Sequence, residues 1–163
     1  MRKIYIIGIV ASGKTTMAKL LSQKLNIPSY ELDCIVYVKN ENERYKRTPD
    51  EQIQEINRID NGGNWIFEGV YRESYKCLLD LADEIIFIDP PLWLRKLRIL
   101  LRYFKQKLRI EHCHYKSDIN MLRLMYKWTN DFELNRQQFE NMLGVYKHKL
   151  TRISKINEYY TIN

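Results

Sequence analysis

Cysteine is scarce in this sequence. Its three residues, Cys34, Cys77 and Cys113, are odd in number and far apart, which argues against a disulfide framework and for a reducing compartment, the cytoplasm by default. Six glycines and four prolines in 163 residues leave no composition for a long disordered tract. No apolar run approaches the roughly 20 residues of a bilayer span, so no membrane partner is expected. The first apolar run, residues 4–10, is too short for a signal-peptide core with a cleavage site. Acidic residues are nearly missing from one place. Residues 91–130 hold ten Lys and Arg against two Asp and Glu, whereas residues 1–90 hold 12 against 14, so the net excess of +7 sits within a single basic stretch. Such a stretch is either a solvated face or a clamp for a polyanion. The remaining composition, 45% hydrophobic and 29% charged, is that of one compact domain spanning 1–163.

The apolar, β-rich run "KIYIIG" over 3–8 reads as a strand ending in glycine, and Met17, Leu20, Leu21 and Leu25 recur at helical spacing after it. "SYELD" reads as a second strand ending at Asp33, followed by a polar loop carrying Arg44 and Arg47. Thr48-Pro49-Asp50-Glu51 is a capping box with proline at the first helical position, predicting a helix over 49–60. "NWIFEG" and "DEIIFIDP" are two more strands around a short helix, "SYKCLLDLA". Nearly continuous apolar strands alternating with helices predict an α/β fold with a parallel sheet of about five strands covered on both faces. From residue 91 to about 108, Leu94, Leu97, Leu101, Phe104 and Leu108 form an apolar seam, and Arg95, Arg98, Arg102 and Arg109 repeat that rhythm one position later. The seam is expected to face the core, with the guanidinium stripe bordering it. Further helices are expected over 118–130 and 132–146; at the end, either "HKLTRI" is a fifth strand before a short helix from Ser154, the preferred parse, or "EYYTI" is itself the strand.

"GIVASGKTT" carries the sharpest chemistry. Gly8, Gly13, Lys14 and Thr15 satisfy G-x-x-x-x-G-K-[ST] between a strand and a helix, the context in which loop amides, including those of Ala11, Ser12 and Thr16, surround phosphate oxygens. Lys14 then reaches the β- and γ-phosphates of ATP and the Thr15 hydroxyl ligates Mg²⁺. A strand ending in an acid supplies the carboxylate that holds this ion. Glu68 and Asp89 both qualify; Glu68 is favoured because Gly69 and Arg72 follow it, whereas Asp89 precedes Pro90-Pro91 and a helix that it can cap.

"GIVASGKT", "FEGVYR" and "RILLR" together resemble the nucleoside monophosphate kinases of the adenylate kinase type, and within that group the DNA topology modulation proteins. The resemblance implies a three-layer P-loop kinase fold whose basic helical lid lies within roughly 95–146. It implies that Arg72 contacts the acceptor or the transferring group, and that Arg98 and Arg102 close over the nucleotide. Glu68 stands where the adenylate kinases have aspartate, and Val70-Tyr71 replace their usual aromatic and proline. His112, Cys113 and His114 have no second ligand pair nearby, so no zinc ribbon is expected. Shikimate and gluconate kinase-like relatives bind or deprotonate an acceptor hydroxyl with an acid in the region of Asp33. The reading is an ATP- and Mg²⁺-dependent phosphotransferase acting on a small molecule, with a nucleoside, nucleotide or similar acceptor expected; the alternative is a nucleic-acid-binding regulator in which nucleotide binding is a switch or a vestige. Trp65 and Trp93 are expected in the core.

Overall fold

The computed structural model describes residues 1–39, 44–108 and 118–162. Five strands, β1 (Lys3–Gly8), β2 (Ser29–Glu31), β5 (Trp65–Gly69), β6 (Glu84–Ile88) and β7 (Leu150–Ile153), form one sheet in the order β2-β5-β1-β6-β7. Every pairing in it is parallel. Alternation along the strands divides the interior into two layers. Tyr5, Ile7, Trp65, Phe67, Ile85 and Phe87 point to one face and pack against Leu32, Ile56, Tyr75, Leu78 and Leu143. Ile4, Ile6, Ile66, Ile86 and Ile88 point to the other and pack against Met17, Ala18, Leu21 and Tyr159. The first layer is supplied by α2 (Leu32–Val36), α3 (Pro49–Asn61), α4 (Lys76–Leu81) and the end of α6 (Ile119–Leu143); the second by α1 (Lys14–Leu25) and α7 (Ile156–Ile162). The capping box at Thr48 and Glu51 forms in both directions, with Pro49 behind it, and the fifth strand with its short helix stands where the sequence places it.

Four expectations are corrected. The second strand stops at Glu31, and Asp33 lies in the first turn of α2. Leu32, Ile35 and Val36 are all buried, a three-and-four spacing too short to register as a helix when read after an alternating strand. The polar loop that follows contains a two-stranded hairpin, β3 (Tyr37–Lys39) with β4 (Arg44–Lys46), lying outside the main sheet. The two helices expected over 118–146 are one, α6, because Met125, Thr129, Phe132, Arg136 and Phe139 carry a continuous inward stripe across the polar Thr129-Asn130-Asp131 step. A short 3-10 turn over 144–149 then leads into β7.

The fourth concerns α5 (Leu92–Lys107), which is rotated from the orientation its periodicity suggests. Arg95 and Ile99 are its buried residues, while Trp93, Leu97, Leu101, Phe104 and Leu108 face solvent. Trp65 is in the core as expected, its indole nitrogen donating to Asp60 Oδ1 at 2.8 Å; Trp93 is not. Arg95 fixes the rotation. Its Nε donates to the Pro90 carbonyl at 3.0 Å and its Nη2 pairs with Glu133 of α6. Tyr126 of α6 donates to the Lys96 carbonyl at 3.0 Å, so the two helices lie side by side and run antiparallel. Arg109 and the His112-Cys113-His114 run lie outside the described residues.

Candidate nucleotide and acceptor site

Parallel strands open their ligand crevice at the carboxyl edge, and that is where the sequence motifs meet. Gly8 ends β1 with its backbone against the Ile88 carbonyl, and a Cβ there would fall 2.7 Å from that oxygen and 2.5 Å from Ser12 Oγ. Beyond it the chain turns through Ser12 N–H donating to the Ile9 carbonyl at 3.2 Å. Ala11 and Gly13 adopt left-handed φ values of 59° and 107°, a conformation that costs a non-glycine residue energy and that turns successive amides to one side. The Ser12 hydroxyl is buried and makes no hydrogen bond to any of the described residues. No acidic side chain occupies the first turn of α1. A loop too close for side chains, a concave run of amides, a helix amino terminus and an unpartnered hydroxyl together fit a phosphate group.

The cations and acids around this loop are arranged for the same purpose. Lys14 Nζ donates to the Ile9 carbonyl at 2.9 Å, folded back on the loop. Burial pushes its ammonium below the usual lysine range and Arg102 pushes the same way, while the carboxylates of Glu68 and Asp33 oppose them. Thr15 Oγ1 donates to Glu68 Oε1 at 2.6 Å. Glu68 is buried at the end of β5, and burial raises its carboxyl above the usual range against the Lys14 charge and the Thr15 hydrogen bond; Glu31 and Asp33 add to the rise. A hydroxyl and a carboxylate in contact beside a phosphate loop suit Mg²⁺, which keeps most of its waters and takes one or two protein oxygens. Among the described residues no group of three His, Cys, Asp or Glu is placed to hold a metal. Asp89, the other candidate, is committed elsewhere: it pairs with Arg136 at 2.8 Å and with Arg152, and the N-cap position of α5 falls on Pro91, with no side chain bonded to that helix end.

Arg98 reaches the loop from above, its Nη1 donating to the carbonyls of Ser12 at 3.0 Å and Ala11 at 3.3 Å. Arg102, one turn further on, is close enough for its charge to act on Lys14. Two arginines of the basic stretch are thus turned inward, Arg95 to Glu133 and Arg98 to the phosphate loop, which withdraws them from any outer polyanion-binding face.

On the other side of Lys14 the structure brings Asp33 and Arg72 together, Arg72 Nη2 to Asp33 Oδ1 at 3.4 Å, with Asp33 mostly exposed. Gly69 makes this possible. A Cβ at Gly69 would fall 2.7 Å from Leu32 Cδ1, so only glycine lets α2 sit against β5 and present Asp33 one residue along. Two residues that sequence reasoning did not single out support Arg72. Its guanidinium lies 5.9 Å from the centroid of the Tyr75 ring, and the Tyr75 hydroxyl donates to the buried Gln52, whose amide donates to the Arg47 carbonyl at 2.7 Å. Neither has a local signal; only the fold puts them under the site. Arg47 points away, donating to the Ile35 carbonyl at 3.0 Å as a C-terminal clasp on α2.

Comparison with known proteins agrees with this architecture. No family model matches the chain. A shikimate kinase of Flavobacterium psychrophilum is 47% identical over 36 residues, 22% of this chain and 21% of that protein. One of Azobacteroides pseudotrichonymphae is 43% identical over 47 residues, 29% and 25% of the two chains. The matched segments span a quarter or less of these relatives. Among solved structures, an uncharacterized protein of Eubacterium ventriosum superimposes with a TM-score of 0.61 at 16% identity, over 99% of this chain and 95% of its own. A shikimate kinase of Bacteroides thetaiotaomicron does so with a TM-score of 0.51 at 13% identity, over 84% and 82%. The fold is the α/β P-loop kinase fold. A gluconokinase of Sinorhizobium meliloti shares it, with a TM-score of 0.53 at 14% identity over 96% of this chain and 86% of its own.

Proposed function

We propose that this protein is an ATP-dependent small-molecule kinase whose acceptor is an alcohol, with Asp33 as general base. The observation that carries the reading is the Asp33–Arg72 pair at the carboxyl edge of the sheet, beside the phosphate loop and within electrostatic reach of Lys14. An acceptor that is already a phosphate needs no base; a hydroxyl does. Asp33 accepts the hydroxyl proton as the acceptor oxygen attacks the γ-phosphorus, and Arg72 holds the acceptor or the charge that develops on the transferring group. ATP with Mg²⁺ supplies the phosphoryl group and a divalent charge; the loop amides from Ala11 to Thr16, with Lys14, Thr15 and Glu68, hold them. Arg98 and Arg102 stabilise the charge on the transferring oxygens from the lid side, fixed dipoles and charges in a dry site being far more effective than in water. The matching segments of two shikimate kinases, and the fold shared with a shikimate kinase and a gluconokinase, support a kinase over a nucleic-acid regulator. The adenylate kinase type and the topology modulation group gain no support from them.

The test is a panel of small polyols, hydroxy acids, nucleosides and nucleoside monophosphates incubated with ATP and Mg²⁺, reading ADP formation over the acceptor-free background. Stimulation by a hydroxylated acceptor that disappears in Lys14→Ala is the expected result. Stimulation by monophosphates alone, or transfer that survives the Lys14 change, overturns the reading.

A further inference from the structure

The outward face of α5 is apolar. Trp93, Leu97, Leu101, Phe104 and Leu108 are 67%, 44%, 50%, 53% and 69% exposed, and in a straight helix at least four of them fall within roughly 80° of its circumference along about 24 Å of length. Scattered exposed leucines are ordinary; a continuous stripe of this size marks a surface that something covers. The stripe has basic shoulders on both sides, Lys96 and Lys107 along one edge and Lys105 along the other, and α5 contains no acidic residue at all. A second copy of this chain would set these lysines against equally basic neighbours, so charge disfavours self-association. A nucleic acid would meet leucine and phenylalanine where it needs cations. The outer face of a single helix is convex across its axis, and a deformable layer follows such a face where a shaped protein partner would need a complementary trough. The geometry points to peripheral docking of α5 on a lipid bilayer that bears anionic headgroups, with the apolar stripe sunk to the acyl boundary and the lysines at headgroup level.

The apolar stripe lies opposite Arg95 and Ile99, the helix face turned to α6, while Arg98, which reaches the phosphate loop, lies about a quarter-turn from the stripe on its Lys105 side. The proposal does not depend on the kinase reading.

Co-sedimentation of the intact chain with vesicles tests it. Vesicles of phosphatidylcholine with about a third phosphatidylserine should bind the protein at least roughly tenfold better than phosphatidylcholine alone at about 0.1 M salt, and lose most of that advantage near about 1 M salt. Binding should shift Trp93 emission to the blue, a shift absent in Trp93→Phe. Leu101→Ser with Phe104→Ser should lower partition at least roughly tenfold while the chain still unfolds cooperatively, since about half of each side chain already lies in water; Lys105→Gln with Lys107→Gln should weaken only binding to anionic vesicles. Equal partition on both vesicles, no partition on either, a concentration-dependent dimer dissolved by the serine pair without vesicle binding, or duplex DNA binding lost in the lysine variant but kept in the serine pair would each overturn it.

Discussion

At the scale of single residues, Glu68 is held where burial opposes its charge. Its carboxyl is raised because little water reaches it, even with Lys14 and the Thr15 hydroxyl close by. An acid whose folded-state value lies above its unfolded one stabilises the fold below the ordinary carboxylate range, and that contribution is lost as pH rises through the raised value. Above the raised value, the ionised Glu68 is therefore a cost that the fold carries for its site. Glu68→Gln should leave the melting temperature unchanged or raise it by about 2–4 °C, while removing the Mg²⁺-dependent part of ADP binding measured by calorimetry. In the unaltered protein that Mg²⁺-dependent part should fade on acidification at a higher pH than an ordinary carboxylate would impose. A melting temperature several degrees lower in the glutamine variant would show instead that the carboxylate is structural. Asp33 contrasts with Glu68: mostly exposed and paired with Arg72, it contributes little to stability. Asp33→Asn should fold normally and lower kcat by about 10²–10⁴ with little change in the KM for ATP; an unchanged kcat would remove the base. These two acids also show what a sequence can disclose at this scale. The phosphate loop is contiguous, so its residues are legible as a string, whereas the Asp33–Arg72 pair closes 39 positions and depends on Gly69 admitting Leu32. Tyr75 and Gln52 could be found only once α3 and the turn at Tyr75, before α4, had been brought together.

At the scale of elements, α5 separates what periodicity determines from what it leaves open. The recurrence of Leu97, Leu101, Phe104 and Leu108 predicts a helix, and there is one. It does not determine which face turns inward, because Arg95, Arg98 and Arg102 recur on the same period and have stronger claims on the interior: Glu133, the Pro90 carbonyl and the phosphate loop. A buried guanidinium is tolerated only with such partners. The single helix α6 and the short α2 were likewise set by long-range packing, through Phe132 and Phe139 on Phe87 and through Leu32 on Gly69. The capping box of α3 was legible because it is closed by residues three apart. The inward turn of α5 makes Arg98 the link between this helix and the loop. Arg98→Ala should lower turnover at least roughly tenfold while changing ATP affinity less, read as kcat against the Kd of a nonhydrolysable analogue. Equal losses in both would mean that Arg98 only binds ground-state nucleotide.

At the scale of the whole molecule, one ionic cluster joins parts that the sequence keeps far apart. Asp89, at the end of β6, receives Arg136 from α6 and Arg152 from β7; Glu140 pairs with both arginines, and Glu133 joins Arg136 to Arg95 of α5. Three cations and three anions thus fasten both long helices to the edge of the sheet next to the strand that carries the phosphate loop. Burial alone would raise the Asp89 carboxyl, but hydrogen bonds from Arg136 and Arg152 outweigh it and hold the group below the usual carboxylate range. A depressed folded-state value means that the contribution is complete above the ordinary aspartate range and is lost as pH falls through the lower value. Removing one partner of a buried pair leaves the others uncompensated, at about 3 kcal/mol here, the low end for such losses because Arg152 keeps about half its surface in water. Asp89→Asn should therefore lower the melting temperature at neutral pH by about 6–12 °C. The gap should close on acidification, since the unaltered protein then protonates Asp89 and loses the same pairs. If the gap stayed constant from neutral pH down into the acid range, the damage would lie in packing rather than charge, and the cluster would not be what holds α5 and its arginines over the site.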